Sequence, residues 1–204
     1  MQTTTRSREL RALVESALLV GIGFALSYIR FTIMPQGGSV TAVSMLPLLM
    51  IGLRHGLKWG LMGAIVYAGL QMLQQIWAPP SGTAPAWTAM IMLDYIVAFG
   101  VLGLSGIFKN RRGGIIIAAP LCLLLRYLSH FISGVIIWGY FITESHSLID
   151  NLSAPAAWIF SLTYNGTYMI PEIIFTTVAG VVLWKTAPML FSVENRQPQS
   201  EAVS

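Results

Sequence analysis

Apolar residues dominate six stretches of the chain, broken by short polar or Pro/Gly-rich segments. The stretches run over about Leu13–Ile33, Ser39–Leu53, Trp59–Trp77, Thr88–Phe108, Gly114–Phe141 and Trp158–Trp184. Most are long enough to cross a hydrocarbon layer of roughly 30 Å at about 1.5 Å per helical residue. The second is short, which predicts a tilted, shielded or partly re-entrant helix. Backbone groups in lipid must bond within their own segment, so helices are the expected form and the fold class is all-α. The first stretch follows a basic N-terminus, as in a signal peptide. It continues to about Ile33 without a clear small-residue cleavage site, and so is expected to be a retained span.

Composition agrees. Hydrophobic residues make up 55% and charged residues only 10% of 204 residues, against about 25% charged in a soluble domain. The mean hydropathy is +0.69. A polytopic membrane protein follows. The net charge of +4 has a topological explanation rather than a nucleic-acid one. Arg6, Arg8, Arg11, Arg54, Lys58, Lys109, Arg111, Arg112, Lys185 and Arg196 all fall on one side of a six-span arrangement. Arg30 alone falls at the other side, and Arg126 lies inside a span. The positive-inside rule then places both termini in the cytoplasm. Residues 1–12 are expected to form a cytoplasmic N-terminus, 13–190 a single membrane domain, and 191–204 a polar, flexible cytoplasmic tail. The single cysteine, Cys122, excludes an internal disulfide and a multi-cysteine metal site.

Polar residues inside spans are expensive and therefore informative. They are Glu15, Asp94, Arg126, His130, Asn165 and Glu172. By position, Asp94, Asn165 and His130 lie roughly 9, 10 and 16 Å below the outer surface. Three helices thus direct polar groups to overlapping depths, as an outward-facing solute pocket requires. Arg126, His130, Gly134 and Trp138 recur every four residues and form one stripe on one helix face. That stripe is either a ligand wall, where Gly134 admits a close approach, or a helix–helix seam with Arg126 paired to an acid. Asp94 likewise needs a cation, either Arg126 or a cationic ligand. Tyr95, Trp138, Trp158, Phe160 and Tyr164 cluster near the outer ends of their spans, and such aromatic faces attract cationic rings. Trp77, Trp87 and Trp158 fit an interfacial belt better, and Trp138 fits the pocket. The outer connections Met34–Thr41, Ala78–Trp87 and Glu144–Pro155 either cover that pocket or merely connect spans.

Glu15 and Glu172 fall toward the cytoplasmic side, as structural or partner contacts. Ala17, Gly21 and Ala25 form a small-residue ridge on the first span, suited to close packing against another helix. No Walker A sequence and no HExxH motif occur, and adjacent Ser129 and His130 point about 100° apart on a helix. These absences argue against an ATPase and against an enzyme. An intramembrane enzyme using His130 and Asp94, or a scaffold whose polar groups only pair helices, are the alternatives.

Four ordered blocks carry a family resemblance: MPQGGSVT at Met34–Thr41, LDYIVAFG at Leu93–Gly100, LLRYLSHFISGVIIWG at Leu124–Gly139, and WIFSLTYNGTYMIPE at Trp158–Glu172. They resemble the thiamine-specific substrate-binding (S) components of energy-coupling factor transporters, multi-pass proteins of the bacterial plasma membrane. The resemblance implies a six-helix fold with no cofactor and no ATPase of its own. It implies an outward site that closes over thiamine with the first outer loop, and docking to a transmembrane coupling subunit with two ATPase subunits. An S-component for a thiamine precursor or another vitamin would share these features. By resemblance Asp94 faces the thiazolium, with Tyr95 beside it. His130, Trp138, Phe160 and Asn165 complete the site by resemblance, with Ser161 nearby; Gly134 joins them from the four-residue spacing, and Ala17, Gly21 and Ala25 resemble the coupling surface. Phe160 stands where many relatives carry Tyr, and the Ala78–Trp87 and Glu144–Pro155 loops look longer than usual.

Overall fold

The structure, a computed structural model, describes residues 2–35 and 37–192. It is a helical bundle with one two-stranded hairpin. Helix α1 (Gln2–Leu26) is followed by strands β1 (Arg30–Ile33) and β2 (Ser39–Thr41). Then come α2 (Leu46–His55), α3 (Leu57–Gln74), α4 (Ala84–Phe108), α5 (Ile115–Ile136), α6 (Tyr140–Thr143), α7 (Leu148–Ser153) and α8 (Pro155–Thr186). Among the described residues, Ala84–Phe108, Ile115–Thr143 and Pro155–Thr186 are long and apolar enough to cross a membrane by length and composition.

The first apolar run does not stay helical to Ile33. At its end the i→i−4 ladder tightens into i→i−3 bonds, with Tyr28 N donating to Ala25 O and Ile29 N to Leu26 O. The Ser27 hydroxyl also donates to Phe24 O at 2.6 Å. A serine that bonds back to its own helix competes with the ladder and favours an end. The chain then extends and pairs antiparallel, Arg30 opposite Thr41 and Ile33 opposite Ser39, with an irregularity between Arg30 and Thr32. The second span is correspondingly shorter than Ser39–Leu53, because Ser39–Thr41 belongs to the hairpin. Its helix starts at Leu46 with Pro47 in the first turn, where proline's missing N–H costs nothing. Residues Leu46 to Leu53 are all buried, so α2 is the shielded helix at the bundle centre. The third helix ends at Gln74 rather than Trp77.

Close packing around α2, α3 and α4 depends on small residues. A side-chain carbon added at Gly103 would lie 2.6 Å from Leu61 N, and one at Gly60 2.6 Å from Gly103 O. Helix α4 is not uniform. Ile91–Val97 is a π-helical segment and Val101–Phe108 is wound as 3-10 helix. The core behind these helices is built from Leu48, Leu49, Ile51, Tyr67, Leu102 and Leu123, among others.

At the expected cytoplasmic end, Glu15 accepts from Arg11 Nε at 2.7 Å and Arg54 Nη2 at 2.6 Å, and approaches His55 Nε2 at 2.9 Å. Arg54 Nη1 also donates to the carbonyls of Met189, Leu190 and Ser192 at 3.0, 2.8 and 3.3 Å. Phe191, in the 3-10 turn Pro188–Phe191, is buried. The chain therefore stays packed through Ser192, while the remainder of the expected tail lies outside the described residues. The expected N-terminal segment continues α1 from Gln2.

Candidate functional site

A cavity of about 160 Å³ lies between the hairpin and the ends of α3, α4, α5 and α8. The stripe Arg126, His130, Gly134 and Trp138 lines it in full, as helical spacing requires of residues four apart. Asp94, Tyr95 and Phe99 come from α4, and Phe160, Asn165 and Tyr168 from α8.

Asp94 is held by three side chains. Its Oδ1 lies 3.0 Å from His130 Nδ1. Its Oδ2 accepts from Ser133 Oγ at 2.7 Å and from Trp138 Nε1 at 3.2 Å. His130 and Ser133 lie on α5 and Trp138 in the turn just after it, so one continuous segment fixes the carboxylate that α4 presents. The presentation depends on the π-helical turn. A π turn removes carbonyls from the i→i−4 ladder, and in a membrane each needs another donor. The Ser129 hydroxyl supplies one, donating to Leu93 O at 2.6 Å. Ser129 and Ser133 therefore anchor the acid's backbone and its side chain. Sequence reasoning missed Ser133, although its four-residue spacing from Ser129 was a visible signal.

Arg126 is not the counter-ion of Asp94. Among the described residues no ion pair within 4 Å joins Arg126 to Asp94 or Glu172. Its guanidinium lies 4.1 Å from the centroid of the Phe99 ring, and Nη1 contacts Met45 Sδ at 3.2 Å.

On α8, Asn165 is tied to protein partners. Its amide donates to Ser161 O at 3.0 Å and His130 O at 3.3 Å, and its carbonyl accepts from the Tyr168 hydroxyl at 2.6 Å. Ser161 does not line the cavity; it is buried behind the wall, donating to Phe131 O at 2.7 Å. Gly134 serves the helix contact, because a side-chain carbon there would meet Ser161 Oγ and lie 2.8 Å from Asn165 Nδ2. Tyr95 donates to Gln75 O at 2.8 Å, and Phe160 packs on Tyr164 with centroids 5.5 Å apart. Trp138 stacks on Phe141 with an interplanar angle of 6°.

The hairpin forms the roof, so of the three outer connections only the first covers the cavity; the Ala78–Trp87 and Glu144–Pro155 connections do not line it. Tyr164 Oη donates to Gly37 O at 2.9 Å. Glu172, expected near the cytoplasmic side, instead lines the cavity and accepts from Thr41 N and Thr41 Oγ1, each at 2.8 Å. Arg30 Nη1 donates to Gln75 Oε1 at 2.9 Å. Trp77, assigned to the belt from sequence, also turns into the cavity, where Gly37 lies against its indole. The chain leaves helical geometry after Gln74, and this swings the indole inward. Gln71 lines the cavity from α3, a polar residue in an apolar span that the sequence reading passed over. Trp158 stays half-exposed, its indole N–H donating to Leu152 O at 2.9 Å.

Ala17, Gly21 and Ala25 are exposed on α1, and a side-chain carbon at Gly21 would meet nothing within 4 Å. The ridge is thus unused by internal packing. The opposite face of α1 carries the buried Ala12, Ser16 and Val20.

Comparison with known proteins gives a consistent result. A thiamine transporter ThiT of Bacillus subtilis (strain 168) is 32% identical over 201 residues, covering 91% of this chain and 96% of that protein. A thiamine transporter ThiT of Lacticaseibacillus paracasei is 26% identical over 205 residues, covering 90% and 92%. A solved structure of ThiT from Listeria monocytogenes superposes with a TM-score of 0.71 at 22% identity, covering 91% of this chain and all of that one, and shares the fold. The family described as thiamine transporter protein (Thia_YuaJ) matches residues 13–192, and on that match the chain, a membrane protein with transmembrane helices, belongs to this family of transporters rather than enzymes.

Proposed function

We propose that the protein is the thiamine-binding S-component of an energy-coupling factor importer, a six-span protein of the bacterial plasma membrane with both termini in the cytoplasm. It captures thiamine from outside, and a coupling subunit with two ATPases drives release inward. Asp94 supplies the negative charge facing the thiazolium. Trp138 and Phe160 supply aromatic surface, His130 supplies a directional hydrogen bond, and Asn165 holds Tyr168 and α5 in place around the ligand. The exposed ridge of Ala17, Gly21 and Ala25 is offered to the coupling subunit.

One observation carries this reading: the Asp94 carboxylate faces a cavity, is held by His130, Ser133 and Trp138, and among the described residues has no Lys or Arg paired to it. Neutral and hydrogen-bonding donors orient a carboxylate while leaving its charge available to a cation. Transport then requires different affinity in outward and inward states, driven by the partners.

The experiment is calorimetric titration of purified protein with thiamine, thiamine phosphates and pyrimidine precursors. Thiamine should bind tightest and be recovered unchanged, and Asp94→Asn should weaken it about a hundredfold, the scale for losing one partner of a buried charge pair. Equal weak heats for every compound, or turnover of thiamine, would reject the assignment.

A further inference from the structure

The cavity holds a cation that the function above does not use. Arg126 lies one turn below His130 on α5 and is only 9% exposed, yet it lines the cavity. A guanidinium carries five N–H donors. Among the described residues, its one hydrogen-bond acceptor is the Met45 thioether, a weak one, and Nε has no partner. The Phe99 ring, 4.1 Å from the guanidinium carbon, stabilises the charge through its face.

Both acids that could neutralise it are engaged elsewhere. Asp94 is held by His130, Ser133 and Trp138. Glu172 uses one oxygen for the Thr41 amide and the other for the Thr41 hydroxyl. A buried cation with unused donors is expensive, and such groups in membrane proteins mark ligand contacts. Beside its two acids the cavity therefore carries the buried cation Arg126, about one helical turn (~5.4 Å) from His130, which holds Asp94.

We infer that Arg126 is a specificity-determining residue that donates to a hydrogen-bond acceptor at the inner end of the ligand. The site then reads a molecule with a positive centre near Asp94 and an uncharged acceptor, an alcohol oxygen or a ring nitrogen, on the Arg126 side. This inference rests on the thiamine reading, since thiamine carries a cationic ring together with a hydroxyethyl oxygen and pyrimidine nitrogens.

The test titrates purified wild type, Arg126→Met and Arg126→Lys with four compounds. These are thiamine, deoxythiamine, and the two analogues in which one pyrimidine nitrogen is replaced by C–H. One analogue should bind wild type about tenfold more weakly than thiamine, the scale of one hydrogen bond to a charged group. Arg126→Met should weaken thiamine by the same factor and leave that analogue unchanged, with Arg126→Lys intermediate. Equal losses for all four compounds, or no loss for any, would overturn the inference. If Arg126→Met does not yield folded protein, Arg126→Lys and the wild-type series decide, and three analogues binding wild type as well as thiamine overturn it. Wild type that binds none of the four rejects the thiamine reading itself, a separate outcome.

Discussion

Trp138 combines two roles that can be separated by substitution. Its indole N–H donates to Asp94, and its ring lies parallel to Phe141 at the cavity edge. Trp138→Phe keeps an aromatic face and removes the donor, so thiamine affinity should fall about fivefold, the value of one ordinary hydrogen bond. Trp138→Ala removes the ring as well and should lose at least a further tenfold through lost aromatic contact. Equal affinities for the two variants in fluorescence or calorimetric titration would mean that the ring contributes nothing to the ligand. At this scale the sequence was readable where helical period decides the outcome. Arg126, His130, Gly134 and Trp138 share a face because four residues are close to one turn. Which partner each residue takes was not readable: Asp94 finds Ser133 and Trp138 rather than Arg126, through helix packing that no local pattern encodes.

Among the elements, the hairpin was hidden because Phe31 and Ile33 extend the apolar run of the first span past the end of α1, interrupted within β1 only by Arg30 and Thr32. The signal for it lay in Gly37 and Gly38, which both adopt φ of +89°, a region that L side chains avoid. At Gly38 a side-chain carbon would also come 2.6 Å from the Tyr168 ring. Gly38→Ala therefore meets backbone strain of about 1–3 kcal/mol and a clash with a wall residue. The expected result is a roof that seats poorly, with thiamine dissociating about tenfold faster in stopped-flow quenching. An unchanged dissociation rate would show that the hairpin does not retain the ligand. The π-helical segment of α4 had no visible signature, because its extra residue per turn is stabilised by a hydroxyl on another helix, Ser129 on α5.

Across the whole molecule, the two ends of the chain are fastened together twice. At one end Arg54 joins Glu15 of α1 to the carbonyls of Met189, Leu190 and Ser192. At the other, Glu172 of α8 holds Thr41 across 131 positions of sequence. Glu172→Gln replaces one acceptor oxygen with an amide donor that faces the Thr41 donors. Amide exchange over residues 30–41 should accelerate, and thiamine affinity should fall about tenfold, while melting of the rest of the bundle changes little. Exchange indistinguishable from wild type would mean that the contact does not hold the roof.

The Thr41–Glu172 contact also sets a sequence of events during synthesis. The hairpin leaves the ribosome early, but the residues that fasten it, Tyr164 and Glu172, emerge only with α8. A nascent chain halted before α8 holds Asp94, His130 and Trp138 without a secured cover. On the proposed function, ligand capture therefore becomes competent only once α8 has been made, and binding doubles as a check that this helix has inserted.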